Sequence, residues 1–308
     1  MSARSYYHKS VRAVSVLVIL ALLGLGQSLF AATAPTTYSA YTGTDAKVIP
    51  SAPALGATNS IINDPTFGSR ILRVTDANTA SGNSLIPEYA GYYRTWNANS
   101  TALKLMNGQG ISYWLEFNSS TFRVGDGSAR PNLHPLSFAW TWEWSAVDPD
   151  IIYFLNGNQL AKYNKVTTLV TNLGGPPNGD PVTYHIGVVG ADSWVCAAAG
   201  FGTQDTYTKI YCLNPNNPSQ SKFIDILNKT INGIAQSDPN WPTSAVGQTI
   251  GIDSMSGSAA GTYLGVVFTQ QGWGANGDSV FNLTTNTWSL VTNVDSRWSG
   301  HSSIGNGK

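Results

Sequence analysis

Residues Ala139-Trp140-Thr141-Trp142-Glu143-Trp144-Ser145-Ala146, Asp150-Ile151-Ile152-Tyr153-Phe154-Leu155, Gln159-Leu160-Ala161-Lys162-Tyr163-Asn164 and Thr168-Leu169-Val170-Thr171-Asn172-Leu173 form four consecutive short runs. Each is alternating or continuously apolar, and each is parted from the next by a few residues carrying Asp, Asn or Gly, so the segment reads as four β-strands joined by tight turns. On the first run, Phe138, Trp140, Trp142 and Trp144 share one face and Ala139, Thr141, Glu143 and Ser145 the other. Such an aromatic ladder can stack on sugar rings, but large flat side chains more commonly fill a core, and the core reading is taken here. Glu143 then stands on the opposite face of an inner strand, where an unpaired carboxylate is costly. It is either paired, with Arg94 as the candidate partner, or functional.

The same pattern recurs on both sides. A preceding group runs Tyr92–Trp96, Ala102–Asn107, Ser112–Asn118 and Thr121–Gly125. A third runs Thr183–Val189, Ser193–Ala199, Thr208–Asn214 and Lys222–Leu227, and a fourth runs Gln248–Ser254, Thr262–Gln270, Asp278–Thr284 and Thr287–Thr292. The fourth runs begin near Phe122, Leu169, Phe223 and Trp288, at spacings of 47, 54 and 65 residues. Four antiparallel strands per repeat, with insertions between repeats, predict an all-β β-propeller of four-stranded blades. A β-sandwich accounts for short strands but not for the repeating unit. Four complete blades and two fragments are expected. Arg70–Thr75 is the expected N-terminal contribution to ring closure, and Gly300–Lys308 resembles a first strand with nothing after it, so a truncated, incomplete ring is expected.

Composition agrees. The chain has 308 residues, of which only 11% are charged and 31 are Gly, a balance that excludes coiled coils, long helical bundles and disorder. Arg4, Lys9 and Arg12 precede an apolar run from Ala13 to Gly26 and small residues at Ala31, Ala32 and Ala34. This is the pattern of a secretory signal peptide, residues 1–32, and fourteen apolar residues fall short of the roughly 20 that span a bilayer. Residues 33–60, rich in Ala, Pro, Thr and Ser, read as a flexible linker, and 61–308 as the propeller domain. A secreted or periplasmic protein with no transmembrane segment after cleavage follows. Without the signal, 14 basic residues face 17 acidic ones, which gives nucleic acid no basic patch to meet.

An exported protein keeps disulfides. Folding Ser193–Ala199 onto Thr208–Asn214 about the centre of the Gly-rich segment between them sets Cys196 against position 211, within one residue of Cys212. A cross-strand disulfide is expected. Asn99, Asn118, Asn228 and Asn282 head N-x-Ser/Thr sequons.

Gly-x-Ser-x-Gly, His-Glu-x-x-His and Walker-loop motifs are absent from the sequence. Aligning first strands brings Arg94, Trp142, His185, Thr249 and His301 to one equivalent level, and in a propeller first strands line the channel. Two imidazoles and a guanidinium there suit an anionic ligand or, with further ligands, a divalent metal. Trp241, Trp273 and Trp298, in Gly- and Pro-rich loops, are the candidate sugar platforms. The segments Asp64-Pro65-Thr66-Phe67-Gly68-Ser69-Arg70-Ile71-Leu72-Arg73-Val74-Thr75-Asp76 and Trp144-Ser145-Ala146-Val147-Asp148-Pro149-Asp150-Ile151-Ile152-Tyr153 resemble the secreted WD40-like or TolB-like β-propellers, a resemblance that specifies blades and not a reaction. A more distant resemblance is to propeller-type oligogalacturonide lyases, which bind manganese through His and Gln at the channel. It implies His185, His301 and Gln248 as metal ligands and no catalytic base. The expected function is a secreted binding module for a glycan or extracellular protein, with Arg94, Glu143, His185, His301, Trp241, Trp273 and Trp298 as ligand contacts. The alternative is a metal-dependent polysaccharide lyase.

Overall fold

The computed structural model describes residues 54–64, 68–79, 85–86, 94–107, 110–136, 141–202, 206–243, 250–258, 260–270 and 275–290. The signal peptide, most of the linker, and Phe138, Trp140, Gln248, Thr249, Trp273, Trp298 and His301 lie outside them. Every regular element among the described residues is a β-strand. Two compact units are distinguished, Met1–Ala54 with Ile61–Ile71, and Leu55–Ser60 with Leu72–Lys308.

Strand β1 (Ile61–Asn63) pairs with β2 (Arg70–Leu72) as a separate two-stranded sheet. Asp64 accepts from the Gly68 N–H (2.9 Å) and donates to the Ser69 carbonyl (2.8 Å), closing the hairpin locally. Gly300–Lys308, the other end of the ring closure expected of Arg70–Thr75, lies outside the described residues.

In the larger unit, β3 (Leu85–Ile86), β4 (Ala102–Asn107), β5 (Ser112–Asn118), β6 (Arg123–Val124) and β7 (His134–Pro135) make the first sheet, in which β6 and β7 share one edge of β5. At the other edge, β4 is paired along one half by β3 and along the other by Thr95–Asn97, with Lys104 N–H bonded to the Thr95 carbonyl at 2.7 Å. Thr58 and Asn59, at the end of the expected linker, are buried. The Asn59 amide takes the Val124 N–H (2.8 Å) and gives to the Val124 carbonyl (3.1 Å), standing in for a neighbouring strand.

The second sheet runs β8 (Trp142–Trp144), β9 (Ile151–Asn156), β10 (Gln159–Asn164), β11 (Val170–Gly174). The third runs β12 (Val182–Val189), β13 (Trp194–Ala199), β14 (Lys209–Asn214), β15 (Asn217–Asp225), with an added hairpin β16 (Thr230–Ile231) and β17 (Ile234–Ala235). The fourth runs β18 (Ile250–Gly257), β19 (Tyr263–Gln270), β20 (Ala275–Asn282), β21 (Thr287–Leu290). All are antiparallel meanders, as the turn residues between short apolar runs require.

Neighbouring sheets pack face to face. Along β13, Cys196 and Ala198 belong to an apolar cluster shared with β18–β21, while Val195, Ala197 and Ala199 join one shared with β9 and β10. Alternation thus buries both faces, which is why the run Trp194–Ala199 contains no polar residue. Trp142 and Trp144 are fully buried between the first and second sheets against Trp114, Ile152 and Phe154, so the core reading holds for these two rungs of the ladder. Cys196 sits directly opposite Cys212 and is disulfide-bonded to it.

Candidate functional site

First strands β8, β12 and β18 lie side by side. The segment carrying Arg94 enters beside them, and its guanidinium reaches three carbonyls: Nη1 donates to Trp144 (3.2 Å), and Nη2 to Val188 (2.9 Å) and Gly257 (3.3 Å). Each acceptor stands close to its hairpin turn, since Trp144 pairs Ile152, Val188 pairs Val195 and Gly257 pairs Leu264. A planar fork with five donors meets such a constellation where a lysine could not. The Arg94 backbone N–H donates to both oxygens of the buried Glu143 carboxylate, at 3.0 and 3.1 Å. Arg94 and Glu143 are therefore joined, through the main chain of one and the side chain of the other. Glu143 takes the paired role.

His185 lies three residues before Val188 in a β-bulge of β12, at φ 49° and 3% exposure. The bulge residue of β18 is Asp253, whose backbone hydrogen-bonds the His185 ring. Burial pushes the imidazole down to about 3, only partly opposed by that bond. The fourth-sheet neighbour of His185 is Asp253, which stands at the matching bulge of β18; Thr249, which strand counting aligned with His185, lies outside the described residues.

Sequence reasoning passed over other buried charged residues, among them Lys104 and Asp192. Lys104 is fully buried, donating to the Trp142 carbonyl (2.9 Å) with its ammonium 4.6 Å from the Trp142 ring centroid. Asp192, in the turn after β12, accepts from the Ser145 hydroxyl, the Ala146 N–H (2.6 Å) and the Tyr153 hydroxyl (3.0 Å) of the preceding sheet. Burial, with Asp192 beside it, pushes the Tyr153 phenol up. Equivalent turns are clipped at Asn97 Nδ2 to the Pro149 carbonyl (3.0 Å) and Gly190 N–H to the Ser258 carbonyl (2.8 Å). A lone Lys between Leu103 and Leu105, and an Asp between two apolar runs, were the available signals.

Arg94, Lys104 and Asp192 thus tie sheet to sheet. Among the described residues no three His, Cys, Asp or Glu side chains stand together as metal ligands; of the set implied by resemblance His185 alone is described, Gln248 and His301 lying outside the described residues. The remaining histidine of the described chain, His134, stacks on Trp114 with centroids 3.9 Å apart.

A concavity exists elsewhere. Loop residues Pro239, Asn240, Trp241, Pro242 and Thr243 stand over one end of the fourth sheet, where Ile250, Phe268, Ser279 and Leu290 contribute one residue from each strand, enclosing a cleft of about 210 Å³. The loop is fastened at two points. Trp241 Nε1 donates to the Ile226 carbonyl (2.9 Å), and the Asp238 carboxylate accepts from the Trp288 N–H (2.5 Å) and the Asn240 N–H (2.9 Å). Trp241 is 4% exposed and meets Trp288 edge-on, with centroids 6.0 Å apart. It is a wall of the cleft and not the open sugar platform that its Pro-rich surroundings suggested; an indole with an acceptor in reach and apolar rings around it buries itself.

No protein-family profile matches this chain, and neither does any curated protein. Among solved structures it is similar to an oligogalacturonate lyase in complex with manganese, at 11% identity and a TM-score of 0.40 over 77% of this chain and 72% of the other. A Vibrio parahaemolyticus oligogalacturonate lyase gives 9% identity and a TM-score of 0.38 over 76% and 71%. Similarity at this level assigns neither family nor activity.

Proposed function

We propose that the protein is an exported β-propeller-type binding module that recognises a glycan or extracellular protein through the sheet ends and loops on the side of the Pro239–Thr243 strap. The observation that carries this reading is the division of labour among polar groups. Arg94, Glu143 and Asp192 are spent on carbonyls, N–H groups and hydroxyls of adjacent sheets, whereas the strap forms an open, pre-fastened concavity. Recognition needs shape and a few placed polar groups; general acid–base chemistry needs titratable groups converging on one point within hydrogen-bond reach. The disulfide suits an exported protein, whether secreted or periplasmic.

The test is an immobilised glycan array of neutral and acidic polysaccharides probed with the secreted chain, followed by incubation of bound ligands with and without Mn²⁺. Retention of ligand with unchanged chain length is expected. Shortened uronate chains with new unsaturated ends, dependent on Mn²⁺, would replace this reading with that of a metal-dependent lyase.

A further inference from the structure

The cleft under the strap has a definite chemistry. Its apolar lining is Trp241 as a wall with Ile250 and Phe268, all buried, and its neutral hydrogen-bonding groups are the exposed Asn240 and Thr243 and the buried Ser279. Prolines 239 and 242 bracket the loop and Leu290, 49% exposed, closes the far side. Among the described residues no Arg, Lys, His, Asp or Glu lines it. The charge fixed beside it is negative: Asp238 holds the strap to the fourth sheet. An anion placed there would lose hydration without gaining a counter-charge.

Size narrows the ligand further. Pockets that enclose drug-sized molecules run from roughly 300 to 1,000 Å³, and this one, at about 210 Å³, suits a single six-membered ring. A pyranose presents an apolar C–H face and a rim of hydroxyls, the complement of an apolar lining with an amide and two hydroxyls. The strap is held to both the third and the fourth sheet, so little ordering remains to be done on binding. Resting on the binding-module reading, we propose that this cleft is a subsite for one uncharged pyranose residue of a glycan and that it selects against uronates.

The experiment uses the full secreted chain, with saturation-transfer NMR and tryptophan fluorescence as readouts. The probes are the methyl glycosides of glucose, galactose and N-acetylglucosamine, set against galacturonate and glucuronate. At least one neutral glycoside should bind saturably and at least tenfold more tightly than either uronate. The double variant Asn240→Ala with Thr243→Ala, both exposed, should weaken it at least tenfold with an unchanged melting temperature. Equal or tighter uronate binding overturns the proposal, as does a neutral glycoside that binds wild type and variant alike, or the failure of every neutral glycoside. The array separates the two levels. Glycan binding that survives in the double variant sinks the cleft and leaves the module reading, whereas a wild-type chain that binds nothing on the array, and no protein, sinks both.

Discussion

Nη2 of Arg94 lies 2.9 Å from the carbonyl oxygen of Val188, 94 residues further along the chain. The same nitrogen serves Gly257, and its twin serves Trp144, so one side chain holds the first strands of three successive sheets. Stability here depends on a polar side chain bonded to main-chain carbonyls. Replacing Arg94 by Met keeps the stem and removes the fork, leaving partly buried carbonyls short of a donor. A loss of about 2–4 kcal/mol is expected in urea unfolding, against less than about 0.5 kcal/mol for Arg130→Met at an exposed position. Equal effects of the two changes would show that the fork holds nothing together.

The clip at Asp192 makes a second, separable claim. Ser145 and Tyr153 both donate to this carboxylate, so their losses should not add. Ser145→Ala and Tyr153→Phe are each expected to cost about 1–2 kcal/mol, and the double variant should depart from the sum by at least about 0.5 kcal/mol. Strict additivity in a double-mutant cycle would mean the two hydroxyls do not share one acceptor.

Cysteine connectivity is checked more directly. Denatured but unreduced protein should show no reactive thiol, and Cys196→Ala with Cys212→Ala should cost about 3 kcal/mol by loop-closure entropy. Two labelled thiols would contradict the pairing of β13 with β14.

Strand content was legible because this chain writes it in short apolar runs with turn residues between them: Gln159–Asn164 was read to the residue, and Ala102–Asn107 and Ser112–Asn118 likewise. Cys196 was placed within one residue of its partner, the error lying in the Gly-rich segment whose length hides its turn. What stayed hidden has two physical causes. Bulges at His185 and Asp253 break the two-residue count, so the facing of these two positions could not be read from alternation. Backbone acceptors carry no side-chain letter, so neither the carbonyls that hold Arg94 nor the Ile226 carbonyl that buries Trp241 could be seen beforehand.

His185 gives the pH prediction. Its folded pKa, about 3, lies below the ordinary 6.5 because the ring is buried. Between these values the unfolded chain binds a proton that the folded chain does not. The neutral ring's contribution is therefore complete above about pH 6.5 and is lost as pH falls toward 3, a loss on the order of 3–5 kcal/mol. Carboxylates also weaken the fold in acid, so the comparison must be with a variant that keeps the backbone. Asn is the choice, because at φ 49° it is among the residues that tolerate the left-handed region. His185→Asn should unfold with a shallower dependence on pH between 6.5 and 3 than wild type, measured as the urea midpoint across that range. Parallel acid limbs for the two proteins would mean that His185 takes up its proton without leaving the fold.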